Sequence, residues 1–258
     1  MDQIIAFFGA TGGCANSCLA YSLQNGYTCS ALARNPEKLK SMLQEQGITD
    51  DIIAQKLTIV KGNIQETDSI NEVITGNGTH SPASVIISGI GGAPTLQYSL
   101  TAPITLDNPN ICTEFTKNLL SAMYKLKKSD GFNKMLLAVV STTGITKGPD
   151  DLPFGYHILY KYFLKVAHAD KAGMEDLLHG AGIKEIFSRV VIIRPTLLTG
   201  SHLIGKENGY CKLKVGTDSN PIAGYSISRA DVGEWIFQNC IKKGNSNTPG
   251  LSTFTLTS

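Results

Sequence analysis

The sequence lacks the features that mark secreted, membrane-spanning and nucleic-acid-binding proteins. No apolar run in its 258 residues approaches the roughly 20 residues that a membrane span requires, and no signal-like apolar segment with a basic flank opens the chain. Lys and Arg total 23 against 21 Asp and Glu, without a dense basic run, so neither nucleic acid nor an anionic membrane is indicated as a partner. We therefore expect a soluble, cytoplasmic protein that acts on a small-molecule substrate as a monomer or homodimer.

The cysteines lack the spacing of a metal site or of a disulfide framework. None forms a Cys-x-x-Cys pair, and no histidine pair lies near them. The pattern is typical of reduced thiols, and no metal is expected. The cysteines stand at positions 14, 18, 29, 112, 211 and 240.

Short β-branched or apolar runs alternate with longer helical patterns, which indicates βαβ units. With 42% hydrophobic residues, 1–258 can form a single domain. The alternation predicts a Rossmann-like, doubly wound, mostly parallel sheet of six to seven strands with helices on both faces. The predicted strands lie near 3–8, 28–33, 57–61, 84–88, 134–141, 186–194 and 252–257. The predicted helices lie near 14–25, 36–46, 67–75, 109–128, 155–180 and 229–242.

Two predicted helix starts carry a local signal. Asn35 precedes Pro36, and Asn108 precedes Pro109. A capping Asn followed by Pro at the first helical position is a favoured helix start, because the missing N–H of Pro is not needed there.

Two longer stretches, 91–108 and 196–228, interrupt the alternation and read as mostly irregular structure, with a short hairpin expected around 210–215. Long loops in compact domains are usually functional. Ligands of an open α/β sheet bind beyond the carboxyl ends of its strands, where both segments begin. We expect them to form a small substrate-binding region. Aromatic residues within 154–163 suit a partly apolar substrate, or belong to the core.

A glycine-rich segment directly follows the first predicted strand and opens a helix, which is the context of a dinucleotide-binding turn. Gly9 permits the tight turn, and Gly12 lets the backbone approach a pyrophosphate, which rests on the N–H groups and positive dipole end of the helix. Ala15 stands where a third glycine would allow the closest helix–strand packing, and its side chain is small enough to be tolerated. The cofactor-binding residues predicted here are Gly9, Thr11, Gly12, Gly13, Cys14 and Ala15.

The second predicted strand ends next to Arg34, where an NAD-specific site usually has an acidic residue for the ribose 2′-hydroxyl. Arg34 instead offers donors for a 2′-phosphate, and Lys38 adds charge one turn later. NADP, as NADPH, is therefore the predicted cofactor. The alternative is that Arg34 is a solvated helix-capping charge.

The fifth predicted strand ends in the hydroxyl side chains of Ser141 and Thr142, which would lie beside a nicotinamide. On the next helix, Lys171 is placed to hold the nicotinamide ribose and to lower the pKa of a neighbouring acid by its charge. Alternatively, Lys171 and Glu175 form a surface ion pair at i, i+4 spacing.

Together these motifs resemble the NmrA-like, atypical short-chain dehydrogenase/reductase family, in particular its biliverdin- and flavin-reductase-like group. The resemblance spans the whole chain and depends on the order and spacing of the motifs rather than on any one of them. The motifs are GATGG at 9–13, ARNPEKL at 33–39, GNI at 62–64, STTG at 141–144, DK at 170–171 with Glu175, IRP at 193–195 and ISRADV at 227–232.

The resemblance implies roles for further residues. Asn63 and Ile64 would flank the adenine, and Pro195 with Thr196 would approach the nicotinamide carboxamide. The family usually has Asp in the place of Asn63 and Gly in the place of Ala15. The additional cofactor-lining residues that it implies are Asn63, Ile64, Ser88, Gly89, Ile90, Gly91, Pro195, Thr196 and Leu197.

Typical short-chain dehydrogenases have a Tyr-x-x-x-Lys pair on the helix after strand five, but the residue four before Lys171 is Ala167. A proton donor would then be His168, Tyr156, Tyr160 or a bound water. His168 has a suitable ordinary pKa, although it is equally a candidate for a packed or solvated histidine.

Three functions remain open at this point. The first is an NADPH-dependent oxidoreductase that reduces a small or medium, partly apolar ketone, aldehyde, imine, quinone or flavin-like acceptor. The second is a non-redox isomerase, dehydratase or cyclase in which Asp170 or Asp107 moves protons on the cofactor-bound fold. The third is an NADP(H)-sensing regulatory protein. The candidate catalytic residues are Lys171, His168, Ser141, Tyr156 and Asp170.

Overall fold

The computed structural model describes residues 3–76, 81–96, 104–153, 155–156, 164–205, 209–244 and 250–258. Its strands are β1 Ile4–Phe8, β2 Thr28–Ala33, β3 Leu57–Lys61, β4 Val85–Ser88, β5 Pro94–Leu96, β6 Ile104–Leu106, β7 Met135–Val140, β8 Phe187–Pro195, β9 Leu197–Thr199, β10 Lys214–Thr217, β11 Ser226–Ser228 and β12 Gly250–Thr257. Its helices are α1 Gly13–Gln24, α2 Pro36–Gln44, α3 Asp50–Lys56, α4 Thr67–Thr75, α5 Ile111–Lys127, α6 Lys165–Leu178, α7 Ile183–Ile186 and α8 Arg229–Ile236. A π-helical segment, Phe237–Lys242, continues α8, and Tyr210–Lys212 forms one 3-10 turn.

Eight of the twelve described strands form a central sheet in the order β10-β12-β8-β7-β4-β1-β2-β3, and the other four form two separate pairs, β5 with β6 and β9 with β11. All neighbours are parallel except β10, which runs antiparallel to β12. The Rossmann-like fold is therefore confirmed, with β10 added to the expected six to seven strands. The strand order reverses between β1 and β4, so a crevice opens beyond their carboxyl ends, where such sheets bind ligands.

Each face of the sheet carries its own apolar core. Along β1, Ile5 and Phe7 face one cluster, and Ala6 and Phe8 face the other, because side chains alternate along a strand. Buried residues of α1, α2 and α8 complete the first core, whereas those of α4, α5 and α6 complete the second. This sandwiching explains why the central strands are buried along nearly their whole length, namely β2, β1, β4, β7 and β8.

The start of α5 differs from the prediction made from Pro109. The helix begins at Ile111, and the side chain of its N-cap residue, Asn110, makes no capping hydrogen bond. Instead the backbone N–H groups of Cys112 and Thr113 donate to the two carboxylate oxygens of Asp170, at 2.8 and 2.9 Å. A carboxylate from α6 therefore caps α5 across the fold, where the negative charge also favours the helix dipole.

The predicted helix over 155–180 is described only in part. Helix α6 begins at Lys165, and residues 154 and 157–163, which include Tyr160, lie outside the described residues. Helix α3, which was not predicted, begins behind Thr49, whose hydroxyl accepts from the backbone N–H of Ile52 at 3.4 Å.

The prediction of a hairpin around 210–215 is wrong. The strand Lys214–Thr217 pairs antiparallel with β12, at the edge of the main sheet, rather than with the residues just before it. Farther along the 196–228 segment, β9 and β11 pair parallel to each other, with Leu197 opposite Ser226.

All six cysteines are free thiols, as the spacing predicts; five are buried and Cys211 is exposed. Burial raises the pKa of Cys14 and of Cys240 to about 12, and that of Cys112 to about 11. No helix among the described residues is long and apolar enough to cross a membrane.

Candidate active site

The turn after β1 can be made only by glycine. Gly9 has φ +73°, and a Cβ there would lie 2.7 Å from the backbone carbon of Gly89. The N–H of Gly12 donates to the carbonyl of Gly9 at 2.8 Å, which closes the turn ahead of α1. The end of β1 therefore touches the segment after β4, at the point where the strand order reverses.

The small residue at position 15 has a partner across the fold. A Cβ on Gly89 would stand 2.7 Å from the Cβ of Ala15, so the missing side chain of Gly89 makes room for that of Ala15. In the same turn of α1, the buried Asn16 donates to the carbonyl of Ala10 at 2.8 Å. The first turn of α1 can thus approach β4 closely although its third glycine position is an alanine.

A cleft of about 590 Å³ opens beyond the carboxyl ends of β1 to β4. The lining residues that were predicted to bind cofactor are Gly9, Thr11, Gly12, Arg34, Lys38, Asn63, Ile64, Gly89, Ile90 and Gly91. Those that were not predicted are Leu32, Ala33, Asn35, Gly62, Gly92, Ala93 and Ile111. Most of the second group adjoin a motif in sequence, whereas Ile111 reaches the cleft only because α5 begins beside it.

Arg34 and Lys38 form a basic pair at the mouth of this cleft. Both side chains are exposed and neither has a hydrogen-bond or ion-pair partner among the described residues. Asn35 caps α2, accepting from the N–H of Lys38 at 3.1 Å, with Pro36 in the first turn. The helix-capping role considered for Arg34 therefore belongs to Asn35, and the guanidinium is free to bind a ligand.

At the end of β3, the backbone around Asn63 and Ile64 is held in place by side-chain hydrogen bonds. The side-chain oxygen of Asn63 accepts from the N–H of Gln65 at 3.3 Å, and Asn118 donates to the carbonyl of Ile64 at 3.0 Å. Both residues line the cleft. An amide and an aliphatic side chain at this wall suit the edge and the face of an adenine ring.

Lys171 joins the ends of two central strands. Its ammonium group donates to the carbonyl of Ile90 at 2.7 Å and to that of Val140 at 2.6 Å. The alternative prediction, a surface ion pair of Lys171 with Glu175, is wrong, because Glu175 is buried and binds Arg194 instead. An ammonium group has three donors, so one N–H of Lys171 remains for a ligand near the carboxyl ends of β4 and β7.

A buried polar network, which sequence reasoning missed, lies behind this lysine. Arg194 donates to Glu175 through Nη2 at 2.6 Å and Nε at 3.1 Å, and to Asp218 through Nη1 at 2.9 Å. Burial acts to lower the pKa of Arg194, but the hydrogen bonds and charge of Glu175 outweigh it and the pKa is raised. The hydroxyl of Ser141 also donates to Glu175, which fixes the end of β7.

The ends of β7 and β8 are linked through their backbones. The N–H of Thr143 donates to the carbonyl of Pro195 at 3.1 Å, and the half-buried Thr142 donates its hydroxyl to the carbonyl of Thr143 at 3.1 Å. Thr196 is buried and Leu197 is 39% exposed. This edge offers a fixed backbone with an apolar residue facing solvent.

The proton-donor candidates differ in their surroundings. Burial lowers the pKa of His168 to about 4, so its imidazole is neutral at physiological pH. Tyr156 contacts Tyr225 edge-on, with ring centroids 5.4 Å apart. Both carboxylate oxygens of Asp170 accept hydrogen bonds from backbone N–H groups at the start of α5, so its role in this structure is to cap that helix.

Asp151 is a further acid that sequence reasoning missed. It is fully buried, and one carboxylate oxygen accepts from the N–H of Gly144 at 2.9 Å. Burial raises its pKa. No motif surrounds Asp151 in the sequence, so only the folding of the loop after β7 shows that it is enclosed.

The comparisons with known proteins agree with this geometry. Residues 9–242 match a family described as NAD(P)H-binding. The chain is 38% identical over 258 residues to Reductase pytE of Aspergillus terreus, covering 98% of this chain and 97% of that protein. It is 36% identical over 265 residues to Oxidase pynE of Aspergillus niger, covering 93% of each.

Solved structures share the fold at low sequence identity. The anaerobillin reductase ChuY of Escherichia coli O157:H7 has a TM-score of 0.63 at 16% identity, with 98% of this chain and 96% of that chain covered. A short chain dehydrogenase of Bacillus anthracis has a TM-score of 0.65 at 13% identity, with coverage of 98% and 94%. The chain belongs to the NAD(P)H-binding family and is an NAD(P)H-dependent oxidoreductase.

Proposed function

We propose that the protein prefers NADPH over NADH and transfers its hydride to a small or medium, partly apolar acceptor. The observation that carries the cofactor preference is the basic pair of Arg34 and Lys38 at the end of β2, in the same cleft as the glycine turn. A ketone, aldehyde, imine, quinone or flavin-like group would suit as acceptor. The nicotinamide supplies the hydride, and the protein binds and orients both molecules.

The charge at the end of β2 supports a phosphate ligand. An acidic residue here would accept from the ribose 2′-hydroxyl of NADH and repel a 2′-phosphate. The position next to β2 is instead Arg34, whose planar guanidinium can donate two hydrogen bonds to one phosphate, and Lys38 adds a point charge.

The remaining cofactor contacts are those expected from the sequence, and apart from Asn63 and Ile64 they involve residues outside the lining of the cleft. The first turn of α1, with Gly13, Cys14 and Ala15, would hold the pyrophosphate on backbone N–H groups, and Asn63 and Ile64 would flank the adenine. Ser88, Ser141 and Thr142 would border the nicotinamide, Pro195, Thr196 and Leu197 would lie against its carboxamide side, and Lys171 would use its third N–H on the nicotinamide ribose.

Tyr156 is our candidate for the proton donor to a carbonyl-like acceptor. It offers a hydroxyl beside Tyr225, within the aromatic contact that joins the loop after β7 to the 196–228 segment. We take that segment, together with 91–108, as the substrate-binding region. His168 is less suited because a neutral imidazole is a weak acid.

The cofactor preference is tested with Arg34→Gln and Lys38→Gln. Loss of a charge-assisted phosphate contact should lower the ratio of NADPH to NADH affinity by about tenfold to a hundredfold per residue. Binding of both cofactors is measured by isothermal titration calorimetry. Lys40→Gln is the matched control, because Lys40 lies on α2 but pairs with Glu37 at 3.0 Å. An unchanged ratio in both variants would overturn the preference.

A further inference from the structure

Helices α1 and α8 run side by side in the same direction. A Cβ added to Gly233 would lie 2.5 Å from the Cβ of Ser17, and one added to Gly13 would clash with a side chain of α8. That side chain belongs to Arg229, so residues 13 and 17 of α1 meet residues 229 and 233 of α8 in the same order. Both helices therefore begin at the same level, with Arg229, the first residue of α8, beside Gly13, the first residue of α1.

The side chain of Arg229 explains why Gly13 carries none. A Cβ on Gly13 would clash with Cδ of Arg229 and would lie 3.0 Å from its Cβ, so the aliphatic stem of the arginine occupies that space. The guanidinium begins at the atom bonded to Cδ, and side chains on a helix lean towards its N-terminus. The guanidinium therefore lies near the first turn of α1, at the end that carries the free backbone N–H groups.

The charge of Arg229 acts on this first turn, and most of its donors are unused. Burial raises the pKa of the Cys14 thiol to about 12, whereas the positive charges of Arg229 and Lys171 act to lower it. Arg229 donates through Nη1 to the carbonyl of Gly200 at 2.8 Å, and it has no ion-pair partner among the described residues. A guanidinium has five N–H donors, so several remain for a ligand.

The position of Arg229 is electrostatically unfavourable in the free protein. A helix dipole places about half a unit of positive charge at the N-terminus, and two N-termini lie together here. A cation at the first position of α8 adds to that charge. The carboxylate of Asp231, in the same turn of α8, accepts from the N–H of Gly209 at 2.9 Å instead of pairing with Arg229. An anionic ligand is the group that this arrangement suits.

We propose that Arg229 is a further cofactor-binding residue, whose guanidinium donates to the pyrophosphate held by the first turn of α1. This role rests on the proposed function, which assigns the pyrophosphate to that turn. Each phosphate of a dinucleotide carries a negative charge, and the dipole of α1 offsets only part of the total. A planar guanidinium can donate two parallel hydrogen bonds to phosphate oxygens. The basic pair after β2 is assigned to the 2′-phosphate, so Arg229 supplies a separate charge.

Two ligands that differ in the pyrophosphate test this role on the full-length protein. NADPH contains the pyrophosphate, whereas adenosine 2′-monophosphate has the adenine and the 2′-phosphate without it. By isothermal titration calorimetry, Arg229→Gln should weaken NADPH binding at least tenfold, the equivalent of about 1.4 kcal/mol, and leave adenosine 2′-monophosphate binding unchanged. Arg34→Gln should weaken the binding of both ligands, because both carry the 2′-phosphate. Lys212→Gln, which removes an exposed charge from the 3-10 turn before β10, is the control and should change neither.

Arg229→Lys separates the charge from the shape of the guanidinium. Lysine keeps the charge and the stem but cannot donate two parallel hydrogen bonds, so its NADPH affinity should lie between those of Arg229→Gln and wild type. Equal NADPH affinity of wild type and Arg229→Gln would overturn the role. An equal loss for both ligands would also overturn it, because Arg229 would then only hold the backbone at Gly200. Arg34→Gln reports on the proposed 2′-phosphate contact alone, so failure of the proposed function is read separately.

The contact between Arg229 and Gly13 has a test of its own. Gly13→Ala adds a methyl group where the stem of Arg229 lies, so it should weaken NADPH binding by displacing the guanidinium. In the Arg229→Ala background the stem is absent, and Gly13→Ala should then cost less NADPH affinity than in the wild type. Equal costs in the two backgrounds would mean that this contact does not place the guanidinium, and would overturn the role.

Discussion

The two halves of the active-site face are built in different ways. The half proposed to bind the nucleotide, called the nucleotide half, is made of short contiguous segments, each at the end of one strand: the turn at Gly9, the basic pair after β2 and the bend at Asn63. The half proposed to bind the nicotinamide, called the α6 half, depends on side chains that cross from α6 to other elements, as when Lys171 binds carbonyls 81 and 31 residues away. The first half is encoded locally, whereas the second exists only after the fold has formed.

This difference predicts which property a substitution in each half should change. A change in the nucleotide half should alter cofactor binding through backbone shape or local charge. A change in the α6 half should alter stability together with geometry, because its polar groups also join helices and strands. The following experiments test that separation, from the largest expected effect to the smallest.

Gly9→Ala should abolish productive cofactor binding. The left-handed φ of +73° costs about 1–2 kcal/mol for alanine, and crowding against the backbone of Gly89 adds about 1–3 kcal/mol. Displacement of the turn should raise the dissociation constant of NADPH about a hundredfold or more, as measured by calorimetry.

Gly26→Ala is the matched control for this change. Gly26 has φ +79°, but a Cβ added there would meet no atom within 4 Å among the described residues, so only the backbone cost remains. Its NADPH affinity should equal that of the wild type. If both variants lost affinity equally, the close approach of Gly9 to Gly89 would not be the cause.

Asp170→Ala should destabilise the fold by about 3–5 kcal/mol, because two hydrogen bonds to a charged group are lost and two N–H groups of α5 are left unsatisfied. The free energy of unfolding is measured in urea. Asp176→Ala is the control: this carboxylate is on the same helix but exposed, and pairs with the exposed Lys147. Full stability of Asp170→Ala with loss of turnover would instead make Asp170 a proton-transfer group.

His168 should make the protein less stable in mild acid. Its pKa in the folded protein is about 4, below the ordinary 6.5. Between these pH values His168 therefore binds a proton in the unfolded chain but not in the folded protein. The free energy of unfolding therefore keeps its full value above pH 6.5 as far as His168 is concerned. It falls as the pH drops towards 4, by at most about 3 kcal/mol. Wild type and His168→Gln are compared by urea unfolding at pH 7, 5.5 and 4.5; parallel pH dependence in the two would contradict the assignment.

Most of the fold could be predicted from the sequence because each buried strand is a short apolar run between helical patterns. The ranges 28–33 and 57–61 were predicted to the residue. Strand β10 was missed because it lies in an irregular stretch and pairs with a strand far along the chain. The start of α5 was misplaced because its cap is a residue of α6, and a window around Pro109 does not contain it.

The predicted and missed parts of the site differ in the same way. Gly9, Arg34 and Asn63 lie next to strand ends, so a local motif was enough to place them in the cleft. The pairing of Glu175 with Arg194 could not be read from spacing, since it depends on how α6 packs beside β8. Helical spacing allowed a pair with Lys171 as an alternative, but burial of Glu175 requires a partner inside the protein.

The cysteines can report local opening of the fold, because one thiol is exposed and five are buried. In the native state a maleimide should modify Cys211 alone, because thiolates react and the other five thiols are buried. Modification of a second thiol then requires local opening, and its rate reports the free energy of that opening. Cys14 and Cys18 lie in α1, directly behind the glycine turn, so a bound cofactor should slow their labelling while leaving that of Cys211 unchanged.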